Sequence, residues 1–219
     1  MAAASDQPRS KVWLARANDF FEITLTFRSR LLVLGGAIVL LLTFVFPLYQ
    51  MTLYSNQFPE GLILKIYSYK LEGGMSQSRD DLREINALNH YIGMRPLDEH
   101  DFSEFRWIPL AVGAFFIFSL RAAVFGKMSK LIDVLALFLY FSLFSFWSFY
   151  SRLYAYGHEL DPTAAVKVAP FTPPLFGGKQ MANFMVYNFP SAGSYALVAF
   201  AVLLLASVWL SARSKEESR

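Results

Sequence analysis

The chain contains no cysteine. That excludes a disulfide framework, a thiolate metal site and a catalytic thiol. Histidine is scarce, with three residues among 219, so imidazole chemistry can come only from His90, His100 or His158. The HExxH, CxxC and GxSxG patterns and a phosphate-cradling glycine-rich loop are all missing. No serine or aspartate stands with a base at a diagnostic spacing, so the expectation is a protein that is not an enzyme. Basic patches with interleaved aromatics are missing too, which argues against a nucleic-acid partner.

Apolar residues are abundant. They make up 55% of the chain, mean hydropathy is +0.35, and phenylalanine alone supplies 22 positions. Much of this lies in four runs: Leu31–Leu48, Trp107–Val124, Leu131–Tyr150 and Tyr195–Ala212. Each approaches the ~20 residues that an α-helix needs to cross roughly 30 Å of hydrocarbon. The runs are apolar all round, which suits lipid. A soluble domain with such runs would need a core too large for this length. The predicted fold is therefore an all-α membrane protein, a four-transmembrane-helix bundle. Ionisable residues are missing from mid-span depth, which argues against an ion-coupled transporter or pump. Arg121 and Asp133 lie near span ends, and Asp133 is placed to pair with Arg121 or Lys130.

Net charge is only +3 with a pI near 9.1, and the excess base flanks the spans. Arg9, Lys11, Arg16, Arg28 and Arg30 precede the first; Lys127 and Lys130 sit between the second and third; Arg213, Lys215 and Arg219 follow the fourth. The positive-inside rule then places both termini in the cytoplasm, which for a bacterial protein would mean the inner membrane. The first run has no small-x-small site at Phe46–Tyr49 and reads as an uncleaved anchor. The organisation expected is a cytoplasmic or interfacial segment 1–30, spans 31–48, 107–124, 131–150 and 195–212, and a cytoplasmic tail 213–219. Segments 49–106 and 151–194 would lie outside and form a small mixed α/β extracytoplasmic cap.

Within 49–106, Gln50–Asn56 and Leu62–Lys70 favour strand, and Phe58-Pro59-Glu60-Gly61 between them reads as a turn. Ser78 is a candidate N-cap, and Leu82, Ile85, Leu88 and Ile92 recur at helical spacing, predicting an amphipathic helix over 78–92 that Gly93 ends. Segment 151–194 carries a Pro-rich extended stretch at 169–175 and a strand-like stretch at 180–188. It is expected to wrap over the first.

All three histidines fall in these outer segments. On a helix, Asn86, His90 and Met94 would share one face. Imidazole with thioether suits Cu(I), a soft ion for which zinc, magnesium and calcium sites would not use methionine sulfur. His158 could approach from the other segment, with Met51 and Met181 as further thioethers. His100 reads as solvated. The rival readings are a hydrogen-bonding or packing histidine with methionine as filler, and an aromatic cleft for a lipid or small hydrophobic ligand around Tyr67, Tyr69, Tyr91, Phe171 and Phe176.

FPEGL (58–62), YKLEG (69–73), INALNHYIGM (85–94), YGHELDP (156–162) and FTPPLFGGKQMANF (171–184) together resemble a family of small, poorly characterised bacterial four-span membrane proteins. Those proteins occur with periplasmic copper-enzyme assembly factors, including nitrous oxide reductase maturation clusters. The resemblance covers both outer segments and the spacing of the spans. It implies a membrane-anchored copper-binding accessory protein, or chaperone, whose metal ligands would be His90, Met94, His158 and Met51. Its partners would be the lipid bilayer and a periplasmic copper protein or the subunits of a membrane complex. Acidic Asp98, Glu99, Asp101 and Glu104 would attract a cation or a basic partner. The alternatives are a non-metal structural or assembly subunit and a cap that binds a hydrophobic ligand.

Overall fold

A computed structural model of the chain describes residues 9–76, 79–181 and 184–217. Among the described residues there are six α-helices: α1 (Arg9–Phe21), α2 (Phe27–Leu40), α3 (Asp81–Tyr91), α4 (Glu104–Phe125), α5 (Met128–His158) and α6 (Ala192–Glu217). A 3-10 turn, Leu41–Phe44, extends α2. Four of these are long and apolar enough to cross a membrane: Phe27–Phe44, Glu104–Phe125, Met128–His158 and Ala192–Glu217. They include the four apolar runs for most of their length. The first of these ends at Phe44, short of Leu48, with strand following from Tyr49, and the third continues beyond Tyr150 to His158.

The strands are β1 (Tyr49–Tyr54), β2 (Leu62–Ile66), β3 (Leu71–Gly73), β4 (Met75–Ser76), β5 (Arg79–Asp80), β6 (Gly177–Met181) and β7 (Phe184–Pro190). Five form one antiparallel sheet in the order β3-β2-β1-β7-β6, and β4 and β5 form a small ribbon. The predicted hairpin is present, with Tyr49 opposite Ile66 and Leu53 opposite Leu62. Gly61 closes its turn at φ 86°, a conformation costly for a residue with a Cβ. Where the sequence predicts a single strand, β6 and β7 pair antiparallel, with Gly177 opposite Asn188 and Met181 opposite Phe184. β7 joins β1 with Met51 opposite Asn188, so segments 49–106 and 151–194 share one sheet.

The chain divides into two compact units. The first comprises residues 1–38, 114–139 and 199–219. In it, Ser29 Oγ donates to the Ser207 carbonyl at 3.0 Å and Ser207 Oγ donates back to the Ser29 carbonyl at 3.0 Å. Phe138 meets Phe115 and Phe200 edge-on, at 5.4 and 5.0 Å between centroids. Leu25 N–H donates to the Gly126 carbonyl and Met128 N–H to that of Ile23, which ties the segment before α2 to the turn between α4 and α5. Asp133 pairs with Lys130 at 3.4 Å, one of its two expected partners.

The second unit, residues 39–113 and 140–198, holds the sheet, α3 and the adjoining parts of the long helices. Side chains alternate across a strand, so Tyr49, Met51 and Leu53 share one face with Ile66, Leu64 and Leu62 and with Pro190, Asn188 and Val186. Leu62, Leu64, Ile85 and Val186 are fully buried there with Leu53, Leu71 and Met181. Each such side chain contributes about 1.5–3 kcal/mol of transfer free energy.

The predicted helix of 78–92 spans Asp81–Tyr91. Ser78 lies outside the described residues. The cap is Asp80, whose Oδ1 accepts from Leu82 N–H at 3.0 Å, satisfying a donor that the first turn leaves free. Gly93, at φ 82°, turns the chain away. Asp161 N–H then donates to the Gly93 carbonyl at 2.8 Å and Val166 N–H to the Tyr91 carbonyl at 3.1 Å. Segment 151–194 thus docks on the end of α3.

Candidate ligand cavity under the sheet

The inner face of the sheet does not close fully against the helices. A cavity of about 510 Å³ remains within the second unit, within the range of small-molecule sites. Tyr49, Met51 and Leu64 form its sheet wall, Ile85 and Asn89 belong to α3, and Trp107, Ile108 and Val112 come from α4. From α5 come Phe141, Ser142, Ser145, Phe149 and Leu153; Tyr195 and Val198 belong to α6. Phe146, Phe176, Tyr195 and Val198 are exposed as well as lining, so they mark an apolar rim.

Among the described residues, one acidic and one basic side chain line the cavity, and they pair with each other. Arg152 Nε donates to Glu104 Oε1 at 3.1 Å and Nη2 to Oε2 at 3.3 Å. Ser148 Oγ donates to the same carboxylate at 2.6 Å. Glu104 is 13% exposed, and the fork of donors offsets its desolvation. Arg152 also stacks over the Phe102 ring, 5.5 Å from the centroid.

Tyr49 is 8% exposed, with its ring edge-on to Phe149 at 4.9 Å. Burial pushes its phenol up to about 12, so it remains a protonated donor at neutral pH. Among the described residues, Tyr49 Oη and Ser145 Oγ have no hydrogen-bond partner. Other polar groups of the lining do: Thr43, Ser194 and Tyr156 hydroxyls donate to the carbonyls of Leu40, Leu48 and Pro96.

Of the four residues expected to hold copper, Met51 and Met94 line this cavity. Met181 lines it too. Because α3 stops at Tyr91, Met94 does not continue the helical face of His90; Gly93 redirects it inward. His90 is exposed on α3. His158 stacks on Tyr154, with centroids 3.8 Å apart, and its Nδ1 lies 3.0 Å from the Tyr154 carbonyl. Neither histidine belongs to the cavity lining. Asn86 is used structurally, since it accepts from Leu97 N–H and donates to the Leu97 carbonyl. Among the described residues, no group of three or more histidine, aspartate and glutamate side chains is arranged to hold a metal ion.

The acidic residues leading into α4 are largely occupied. Glu99 accepts from Leu71 N–H at 2.9 Å, Glu104 takes Arg152, and Asp98 accepts from the backbone and ring of His100. Those bonds hold the Asp98 carboxyl below its ordinary range. Of the residues proposed for an aromatic cleft, Tyr67 and Phe176 line the cavity. Tyr49, Ser145 and the Glu104–Arg152 pair escaped the sequence reading. A signal existed for one: Ser142, Ser145 and Ser148 recur every three residues through a phenylalanine run, which puts hydroxyls on one helical face.

The fold thus defines a class: four helices of membrane-spanning length joined to a five-stranded antiparallel sheet that covers an apolar cavity. No family model matches the chain, and no match was found among curated proteins or solved structures.

Proposed function

We propose that this is a four-span membrane protein whose cavity binds a lipid-like, largely apolar ligand on the outer side of the bilayer. The observation that carries the reading is the cavity itself: about 510 Å³, walled by apolar side chains and rimmed by exposed Phe146, Tyr195 and Val198 on helices long enough to span. Close packing leaves few voids of this size in a protein interior. An acyl or isoprenoid chain would enter along the rim without leaving an apolar medium. The positive flanks put the sheet outside and both termini in the cytoplasm. Binding, rather than catalysis, is the role of the site.

The test uses protein reconstituted in lipid nanodiscs and released for native mass spectrometry. Wild type retains one lipid-sized adduct, and Ile108→Trp, which fills the cavity from α4, loses it while keeping the same thermal midpoint. A wild type without adduct, which also fails to crosslink a photoactivatable acyl probe through cavity peptides, removes the proposal.

A second reading rests on sulfur. Met51 and Met94 open onto the same cavity, and paired thioethers suit Cu(I). On this reading the protein carries copper for a periplasmic copper enzyme, and His90 and His158, which lie outside the cavity lining, would have to turn inward to complete the site. Loading with Cu(I) under reducing conditions separates the readings. Equal weak binding by wild type, His90→Ala and Met94→Ala eliminates copper and leaves the lipid site untouched.

A further inference from the structure

A groove opens within the first unit, between the start of α2 and the last turns of α6. Phe27, Arg28, Trp209, Leu210, Arg213 and Glu217 are among the residues that line it. Hydrogen bonds fix its two walls against each other. Thr26 N–H donates to Ser211 Oγ at 3.2 Å, and Ser211 Oγ donates to Ser29 Oγ at 2.7 Å. Arg28 and Arg213 each stand within two residues of that clasp, and both are exposed.

The lining is apolar at one level and charged at the next. Phe27 and Trp209 are 74% and 60% exposed on helices long enough to span, and aromatic rings at span ends mark the boundary between hydrocarbon and headgroups. Arg213 follows Trp209 by one helical turn, on the same face, and its guanidinium lies 5.5 Å from the Trp209 ring centroid. Arg213 also pairs with Glu217 at 3.1 Å. Among the described residues, no ion pair or hydrogen bond engages the Arg28 side chain. The groove therefore has a spare cation.

We propose that this groove holds the headgroup of an anionic phospholipid, its phosphate at Arg28 and Arg213 and its acyl chains against Phe27 and Trp209. The inference needs the four-span placement but not the cavity ligand. Basic pockets between spanning helices suit such headgroups, because guanidinium forks donate to phosphate oxygens at the depth where the phosphates already lie. A singly anionic headgroup matches the spare cation. A zwitterionic one brings its own cation, which Glu217 could take only by giving up Arg213.

The experiment places the full chain in phosphatidylcholine nanodiscs with phosphatidylglycerol, phosphatidylethanolamine or phosphatidylcholine probes that carry a diazirine near the headgroup. Labelling of the peptides around Phe27 and Trp209 is measured against probe mole fraction. The phosphatidylglycerol probe is expected to half-saturate them at an about fivefold lower mole fraction than the phosphatidylcholine probe, the effect of one arginine beside an anionic headgroup. Arg28→Gln removes that preference. Arg121→Gln, which deletes an exposed arginine near the end of α4, keeps it. Thermal midpoints in phosphatidylcholine alone stay at the wild-type value, so lost preference is not lost fold. Ile108→Trp, which fills the cavity of the second unit, also keeps the preference, so groove and cavity can fail separately. Equal labelling by all three probes, or equal losses in Arg28→Gln and Arg121→Gln, would overturn the proposal and leave only diffuse attraction to charge. A preference for phosphatidylethanolamine overturns it as well, by making Glu217 a ligand. So does displacement by millimolar inorganic phosphate, the mark of an anion site that needs no lipid.

Discussion

Gly157 and Phe171 touch backbone to backbone. The Phe171 N–H donates to the Gly157 carbonyl at 3.0 Å, and a Cβ on Gly157 would overlap the carbonyl oxygen of Phe171. The last turn of α5 therefore forms a groove only a glycine can offer, and the extended stretch at 169–175 lies against it. The partner is backbone and cannot rotate aside. Gly157→Ala is expected to lose about 1–3 kcal/mol, read as a lower thermal midpoint of the reconstituted protein. An unchanged midpoint would mean that the two strands of chain are not held together.

The Glu104–Arg152 pair makes an asymmetric prediction. Arg152→Ala strands a carboxylate that is 13% exposed, at a cost of about 3–5 kcal/mol for a buried pair, less here because Arg152 is one-third exposed. Replacing both, as Glu104→Gln with Arg152→Met, is expected to recover most of the loss, because no uncompensated charge remains. A double-mutant cycle on unfolding measures the coupling. Additive losses would show that the pair contributes nothing.

Asp81 joins α3 to the sheet. It is 3% exposed, accepts from Ile63 N–H at 2.9 Å and from Arg79 Nε at 2.8 Å, and lies where Gly74 has no side chain. Asp81→Ala leaves both donors unsatisfied and is expected to cost about 2–4 kcal/mol. Hydrogen exchange locates the damage: Ile63 and the first turn of α3 lose protection, while the helices of the first unit keep theirs.

Much of this framework is legible in the sequence, for identifiable reasons. The long apolar helices, the hairpin turn at Gly61 and the end of α3 at Gly93 follow from local chemistry that neighbouring residues determine. The union of β7 with β1 does not, since Met51 and Asn188 meet across a long sequence separation and nothing in 177–190 names its partner. The candidate site is less legible still. Spacing suggested that Met94 shares the face of His90, but that inference continues a helix through Gly93, whose positive φ ends it. Glu104 and Arg152 carry no mark of each other until the fold brings α4 beside α5.

The docking of segment 151–194 on α3 is expected to depend on pH. Asp161 Oδ1 accepts from Thr163 Oγ1 at 2.6 Å and from Thr163 N–H at 2.8 Å. The hydroxyl bond, then the backbone bond, then the field of His90 hold its carboxyl below the ordinary range. A depressed carboxylate contributes stability that is present above the unfolded value, about 3.9 for aspartate, and lost as pH falls through the folded one. Protection of the Val166 amide, which donates to Tyr91, should therefore hold through neutral pH and drop in acid below that value, after correction for intrinsic exchange. Asp161→Asn removes the titrating group, and its Val166 protection should stay level over the same acid range. If wild type and variant lose protection in parallel, Asp161 is not the group that controls this docking.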